Sequence, residues 1–368
     1  MSGAPSRLLA SLDGQIAASR IPFDADCLRA ERACYRARQG RIDEARQTAA
    51  QLRERYAVRP GAIVTAWINL IEGLCSHFDD LGDGARDKLL RAHALSAMQR
   101  GSRLHLLCAA WLAHVDYSNH QPAAMSLHVR EALQFAPVDD HSVRSRACMV
   151  VAQALHLGSG LDLATPWYAA SHRHAVAEGD DLTIAALIHN RGWLQLIRLG
   201  EGALNYEDAN TVKGALHGIA SSQAYDQLIG AASLAGIDPL LLAQTYCAKG
   251  RPAEALLVFE VHLLRDDARS GRSRVGCALL ADQAWCRMKL GQLDAALVDA
   301  IAAEARLVPT TNVDDRAATH SRLAEVYSAL ADGVAADFHA AAAARHWAEF
   351  KQMQADMVAV LEGLEPRG

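Results

Sequence analysis

Apolar residues recur along most of the chain at helical spacing, and the apolar stretches are separated by glycines or short polar turns. Long alternating runs of Val, Ile and Thr, which would indicate β-strands, are absent. Alanine is abundant, and its small side chain favours helix formation and lets neighbouring helices approach closely. The pattern predicts an all-α chain built from packed helices.

A recurring turn joins the helical stretches, in which a glycine is followed five residues later by an alanine. Three segments show it: GRIDEA at 40–45, GRPAEA at 250–255 and GQLDAA at 291–296. Glycine tolerates the left-handed conformation that ends one helix, and alanine fits where the next helix crosses closely. Related turns recur every 38–50 residues, which predicts about eight antiparallel helix pairs. They fall at positions 40, 82, 120, 158, 200, 250, 291 and 333.

The segment LLAQTYCAKGRPAEALLVF at 241–259 resembles the tetratricopeptide repeat family. Its residues at the packing spacings of that family are Leu242, Ala243, Tyr246, Gly250, Ala255 and Phe259. The resemblance implies a right-handed superhelical solenoid that binds proteins or peptides. The period exceeds the usual 34 residues of the family and is similar to long-helix variants in bacterial regulatory proteins. HEAT repeats share a period near 40, but the glycine-to-alanine turn favours the tetratricopeptide type.

The repeats divide the chain into three parts of one continuous solenoid. We expect an N-terminal capping helix over 1–26, repeats over 27–333, and a long C-terminal helix and tail over 334–368. The stretch EGALNYEDAN at 201–210 lengthens one repeat, as either a functional insertion or a longer loop. The terminal helix carries an apolar stripe that either folds back on the solenoid or forms a homodimer contact, and we favour the dimer. The stripe consists of Phe350, Met353, Met357 and Val360.

A small residue followed by tryptophan recurs inside the first helix of four repeats. The tryptophans are Trp67, Trp111, Trp193 and Trp285. In the family that the chain resembles, the position after the small residue tends to face the concave surface. The recurrence predicts that these indoles line a groove and anchor a partner peptide, and the alternative is that they fill space between stacked helices.

The net charge of −5 speaks against nucleic acid as the main partner, because phosphate binding needs a surplus of Lys and Arg. The charge is uneven, however, since residues 27–60 hold nine arginines and four acids. Arg29, Arg32 and Arg36 share one helix face at three- and four-residue spacing. We expect this face either to dock an acidic segment of a partner or of a second copy, or to be solvated.

Candidate chemistry is sparse. His172 and His174 point to nearly opposite sides of a helix, and His174 with Glu178 offers only two ligands, so no metal site is predicted. Aspartate pairs at 139–140, 180–181 and 314–315 precede helices and are predicted to cap them. The motifs GxSxG, GxxxxGK[ST] and HExxH do not occur, so we predict no catalytic residue and no cofactor.

Neither a membrane span nor a signal peptide is predicted, since no apolar run reaches the necessary length and Asp13 interrupts the first twenty residues. Eight cysteines without a CxxC pair indicate reduced, largely buried thiols, so a cytoplasmic location is expected. These features predict an adaptor or regulator that binds a peptide or helix of a partner protein. The alternatives are a sensory module that binds a small signal such as a peptide, and an enzyme with an unrecognised site.

Overall fold

The computed structural model describes residues 6–80, 84–201, 221, 224–229, 231, 238–263 and 276–366. These residues lie in helices or in the turns that join them, and none of them belongs to a β-strand. The prediction of an all-α chain is confirmed. Among the helices described here, none combines the length and the apolar character that crossing a membrane requires.

Ten α-helices lie in the described residues up to 201. Their bounds are α1 Arg7–Ala18, α2 Pro22–Arg38, α3 Ile42–Arg55, α4 Ala62–Asp80, α5 Gly84–Ser96, α6 Arg103–Ser118, α7 Pro122–Phe135, α8 His141–Ser159, α9 Leu161–Glu178 and α10 Asp181–Glu201. A short 3-10 helix at Ala97–Gln99 follows α5. The N-terminal helix expected over 1–26 is α1, and α2 already begins at Pro22.

Further α-helices are described after residue 237. Their bounds are α11 Asp238–Ala248, α12 Pro252–Leu263, α13 Gly276–Lys289, α14 Leu293–Ala305, α15 Val313–Ala329 and α16 Gly333–Ala359. The long terminal helix expected after Gly333 is α16, which has 27 residues. The expected insertion at 201–210 lies outside the described residues except for Glu201, the last residue of α10.

The glycine-to-alanine turns take the predicted conformation. Gly40, Gly250 and Gly291 have φ angles of 81°, 65° and 77°, in the left-handed region that glycine adopts without steric cost. The alanine five residues after each of them is fully buried, which lets the second helix approach the first. These alanines are Ala45, Ala255 and Ala296.

Other turns differ from the expectation in detail. At the turns predicted near residues 120 and 333, the residues in the left-handed conformation are His120 and Ala331. Gly200 was expected to end a helix, but α10 continues through it to Glu201, because a helix interior tolerates glycine at modest cost. Gly82 lies outside the described residues.

Two of the three predicted aspartate caps are confirmed. The carboxylate of Asp140 accepts a hydrogen bond from the Val143 amide at 3.3 Å, and that of Asp180 accepts one from the Thr183 amide at 3.1 Å. Asp314 instead lies inside the first turn of α15, one residue after the helix begins. Its carboxylate is therefore placed to interact with the helix dipole without acting as the cap.

Consecutive helices pack in pairs, and the first helices of several neighbouring pairs also contact each other. The chain forms two compact units. The N-terminal unit comprises 1–188, 222–234 and 356–368, and the C-terminal unit comprises 189–221 and 235–355.

In the N-terminal unit, the beginning of the chain packs against the turn between α9 and α10. The Leu8 amide donates to the Gly179 carbonyl at 3.3 Å, and Leu8, Tyr35 and Leu182 pack in one apolar cluster. Gly179 has a φ of 75°, and a Cβ there would lie 2.8 Å from the Cβ of Arg7. Helix α1 therefore contacts both α2 and the start of α10.

The cysteines follow the expectation of buried thiols. All eight are free, and all except the half-buried Cys27 are buried. Burial raises the pKa of Cys75 to about 11 and that of Cys148 to about 12. Because the thiolate is the reactive form, these groups are poor nucleophiles in the native chain.

We expect at most one thiol, that of Cys27, to react promptly with a disulfide reagent under native conditions. Burial raises its pKa to about 11, so even this reaction should be slow at neutral pH. Unfolding in guanidinium should release all eight thiols, as counted by thiol titration in both states. Prompt native labelling of several cysteines would contradict the burial described above.

Candidate functional site

Three of the four tryptophans predicted to line a groove are buried. Trp67, Trp111 and Trp285 expose 4–5% of their surface, whereas Trp193 is partly exposed. The expectation of accessible groove anchors is therefore wrong for the three buried indoles. They fill space between helices, which was the alternative prediction.

Trp111 is the centre of a buried polar region in the N-terminal unit. The Arg146 guanidinium carbon lies 4.0 Å from the Trp111 ring centroid, and that of Arg38 lies 5.6 Å from it. The ring of Phe78 meets Trp111 edge-on, with 5.8 Å between centroids. Trp111 therefore holds two cations by cation–π contact in a dry environment, where such contacts are strongest.

A single carboxylate balances these two arginines. Asp180 accepts from Arg38 at 2.8 and 2.9 Å, in a bidentate pair, and from the Thr183 hydroxyl at 2.7 Å. Arg146 donates to the same hydroxyl at 3.4 Å and, more weakly, to the Met149 sulfur at 3.9 Å. Burial and the charge of Arg38 lower the pKa of Arg146, against the opposite effect of Asp180. A buried polar network thus surrounds Trp111 within the apolar core of the N-terminal unit.

Trp285 has a similar environment in the C-terminal unit. The Arg322 guanidinium lies 4.2 Å from its ring centroid, and the indole N–H donates to the Glu325 carboxylate at 2.9 Å. Arg322 in turn donates to Asp282 at 2.7 Å. In both units a buried arginine of a later helix stacks on the tryptophan. Arg146 of α8 stacks on Trp111 of α6, and Arg322 of α15 stacks on Trp285 of α13.

The three arginines predicted to dock an acidic partner each have an acid of the same chain nearby. Arg29 contacts Asp26 at 2.6 Å, Arg32 contacts Asp13 at 2.6 Å, and Arg36 lies 3.7 Å from Glu44. Two of these partners lie outside the arginine-rich segment 27–60. Docking of an acidic segment stays a prediction, but it would have to displace these ion pairs.

The apolar stripe of the terminal helix is largely covered within the chain. Phe350, Met353 and Met357 are buried and Val360 is half-buried, so the stripe is not an exposed dimer surface. In the N-terminal unit, the Val360 carbonyl accepts hydrogen bonds from Ser126 at 2.7 Å and from Arg130 at 2.9 Å. Contacts within the chain thus bury most of the stripe, and a homodimer through this helix stays a prediction.

The histidines considered for a metal site separate into different networks. His174 faces His141, with 2.9 Å between their Nδ1 atoms. Glu178 accepts from Arg103 at 2.8 Å and from Ser142 at 2.7 Å. His174 and Glu178 therefore have different hydrogen-bond partners.

A different set of histidines does converge with a carboxylate. His93 at the end of α5, His105 at the start of α6 and Glu131 on α7 place their ligand atoms within 4.8 Å of one another. The Nε2 atom of His93 lies 2.8 Å from Glu131 Oε2, and the Nε2 atom of His105 lies 3.1 Å from Oε1. The two rings stack, with 4.2 Å between centroids.

The surroundings of this cluster combine burial and hydrogen bonding. His105 is 1% exposed, and its Nδ1 atom lies 3.0 Å from the Ser96 hydroxyl. Burial lowers the pKa of His93, as does the neighbouring His105, whereas Glu131 acts in the opposite direction. Burial acts to raise the pKa of Glu131, but the hydrogen bond from His105 and the charge of His93 lower it overall.

The members of this cluster lie on three helices, so no local sequence pattern reveals it. Their separations of 12 and 26 residues match no short metal motif. A weak signal for the cluster is the presence of histidines within apolar helical segments, because a buried imidazole requires a hydrogen-bond partner. Only the packing of α5 and α7 on α6 brings the three groups together.

Apolar side chains are exposed on the second helices of the C-terminal unit. Helices α12 and α14 both pack on α13, and their opposite faces present a group of aliphatic residues to solvent. This exposed aliphatic face consists of Leu257, Val261, Leu293, Leu297, Val298 and Ile301. Leu257 and Val298 expose 66% and 64% of their surface. Exposed aliphatic side chains on two helices that share a packing neighbour are candidates for an interaction surface.

Comparison with known protein families, with curated proteins and with solved structures finds no match to this chain.

Proposed function

We propose that the chain is an adaptor or regulator that binds a helix of a partner protein on a solenoid of tetratricopeptide type. The pairwise packing of its helices and the left-handed glycines at three turns support the repeat architecture. A repeat architecture is used mainly for extended binding surfaces.

The exposed aliphatic face of α12 and α14 carries the proposal. Six aliphatic side chains on two neighbouring helices keep between 38% and 66% of their surface in contact with water. Burying such surface against a partner is favourable by about 25 cal/mol per Å² of apolar area. The binding site proposed from the structure is therefore this face and not the buried tryptophans.

The charges around this face favour a basic partner. Helices α12 and α14 contain five acidic residues and no Lys or Arg. The acids are Glu254, Glu260, Asp294, Asp299 and Glu304. Asp299 is buried, and a basic partner would compete with Arg251, Arg287 and His339, which contact four of the five. An amphipathic helix with an apolar stripe flanked by Lys or Arg would complement both the aliphatic side chains and the acidic surroundings.

A displayed library of random peptides tests the proposal. Peptides selected on the full chain should carry apolar residues at helical spacing flanked by Lys or Arg. They should bind the variant Val298→Glu/Ile301→Glu at least about tenfold more weakly, since two charges would lie in an apolar interface. Binding is measured by fluorescence anisotropy of the selected peptides.

The matched control introduces the same charges at equally exposed aliphatic positions of the N-terminal unit. Leu127 and Val138 expose 65% and 72% of their surface, so Leu127→Glu/Val138→Glu should fold and bind as the unaltered chain does. Selected peptides that bind both double variants equally well would place the binding site elsewhere.

A further inference from the structure

Helices α5, α6 and α7 of the N-terminal unit bring together two imidazoles and one carboxylate. We propose that His93, His105 and Glu131 form a binding site for a divalent transition-metal ion, with zinc as the best match. Two nitrogen donors and one oxygen donor are a ligand set that zinc commonly takes from proteins.

The distances suit an ion after a small adjustment. Zinc lies about 2.0–2.2 Å from histidine nitrogen and carboxylate oxygen, so tetrahedral ligand atoms are about 3.3 Å apart. The two nitrogen–oxygen separations are 2.8 and 3.1 Å, and all three ligand atoms lie within 4.8 Å of one another. The two nitrogen–oxygen separations are within about 0.5 Å of that spacing, so side-chain adjustments alone could bring the ligand atoms around an ion.

The hydrogen bonds around His105 leave a lone pair directed at Glu131. The Ser96 hydroxyl lies 2.9 Å from the carbonyls of both Ala92 and His93, so its hydrogen is engaged by a carbonyl. The hydroxyl oxygen then accepts from Nδ1–H of His105 at 3.0 Å. An imidazolium would place a proton between Nε2 and the facing carboxylate oxygen, whereas the neutral ring, with its lone pair on Nε2, requires another positive centre there.

A metal ion supplies that positive centre. Histidine ligands commonly donate the other ring N–H to a neighbouring acceptor, which fixes the tautomer and the orientation of the ring. Ser96 has this relation to His105. His93 and Glu131 are partly exposed, which gives a hydrated ion access from the surface.

Other histidine clusters in the described part of the chain lack this arrangement. His320 and His339 face each other through Nδ1 at 2.8 Å, but Glu304 contacts the opposite nitrogen of His339, Nε2, at 2.8 Å. One ion cannot reach both the nitrogen pair and that carboxylate at bonding distance. His141 and His174 offer two nitrogens without a third ligand in the same group.

The proposed ion would connect two helix pairs, because His93 belongs to α5 whereas His105 and Glu131 belong to α6 and α7. Three protein ligands leave one coordination position for water or for an anionic group of a ligand. The site lies in the N-terminal unit and does not depend on the proposed aliphatic face of the other unit.

Calorimetric titration of the chelator-treated full chain with zinc tests the proposal. One zinc ion should bind per chain, and excess zinc should raise the melting temperature, because the ion binds only the folded cluster. Glu131→Gln and His93→Gln should each weaken binding by at least about tenfold, since each removes one of three ligands. Circular dichroism of both variants without metal confirms that they remain folded.

His172→Gln and His174→Gln provide matched controls on α9, outside the proposed ligand set. Both should bind zinc as the unaltered chain does. Cobalt substitution adds a spectroscopic control, because nitrogen and oxygen ligation gives no thiolate charge-transfer band, whereas binding by the cysteines would. The proposal is overturned by absence of zinc binding, by unchanged affinity in folded Glu131→Gln and His93→Gln, by loss of binding in a control variant, or by a thiolate band.

Discussion

Replacing Trp285 with alanine should lower the free energy of unfolding by about 3–5 kcal/mol, the typical cost of removing a buried aromatic side chain. The indole is 5% exposed and lies under the guanidinium of Arg322. Its loss would leave a cavity, would remove the cation–π contact of that guanidinium, and would remove the hydrogen bond to Glu325. Denaturant titration followed by circular dichroism measures the change.

Leu257→Ala is the control, because Leu257 lies in the same unit but is two-thirds exposed. Its free energy of unfolding should change by no more than about 0.5 kcal/mol. The same measurement on Trp193→Ala extends the comparison to the partly exposed member of the series. If Trp285→Ala kept its stability and selectively lost peptide binding, Trp285 would be a groove residue after all.

The helix pairs could be predicted from sequence because their signals are local. A left-handed glycine and the buried alanine five residues later belong to one turn, as at Gly250 and Ala255. Both depend on short-range sterics that the sequence displays directly.

Whether each tryptophan is buried or exposed could not be predicted in this way. Trp111 is buried because Arg38 and Arg146 cover it, and these residues come from helices that lie far away in sequence. A repeat register gives the same position in each repeat, but it does not give the burial of that position. Contacts between α1, α2 and the start of α10 decide burial in the N-terminal unit.

The ion pairs between helices and the cluster of His93, His105 and Glu131 were hidden for the same reason. The excess of arginine over 27–60 is partly balanced by acids from other helices, such as Asp79 for Arg46 and Asp180 for Arg38. A count of charges within residues 27–60 cannot include these acids. His105 and Glu131 likewise meet only through tertiary packing, whereas helical spacing reveals ligands three or four residues apart.

The terminal stripe shows a further limit of pattern analysis. Phe350 and Met357 have the spacing of an apolar helix face, and both are fully buried. That spacing is identical whether the partner surface belongs to the same chain or to another chain. Periodicity therefore identified the face correctly without identifying what covers it.

Replacing Asp180 with alanine should destabilise the chain by about 3–5 kcal/mol, the cost expected when one partner of a buried ion pair is removed. Asp180 is 2% exposed and accepts hydrogen bonds from Arg38 and Thr183. Without it, the guanidinium groups of Arg38 and Arg146 would stay buried without a carboxylate to balance them. Asp139→Ala, at an exposed aspartate, should change stability by no more than about 0.5 kcal/mol.

The pH dependence identifies the charge of Asp180 as the cause. Burial alone would raise its pKa, but the charge and hydrogen bonds of Arg38, with the bond from Thr183, lower the pKa below its usual value. The folded state therefore releases this proton more readily than the unfolded state, whose aspartate pKa is about 3.9. The stability that Asp180 contributes is fully present above that pH and is lost as pH falls through the lowered value. Denaturant titrations at several pH values should show a constant difference between the unaltered chain and Asp180→Ala at neutral pH and a shrinking one in acid. A difference that stayed constant down to the most acidic pH at which the chain folds would assign the effect to packing instead.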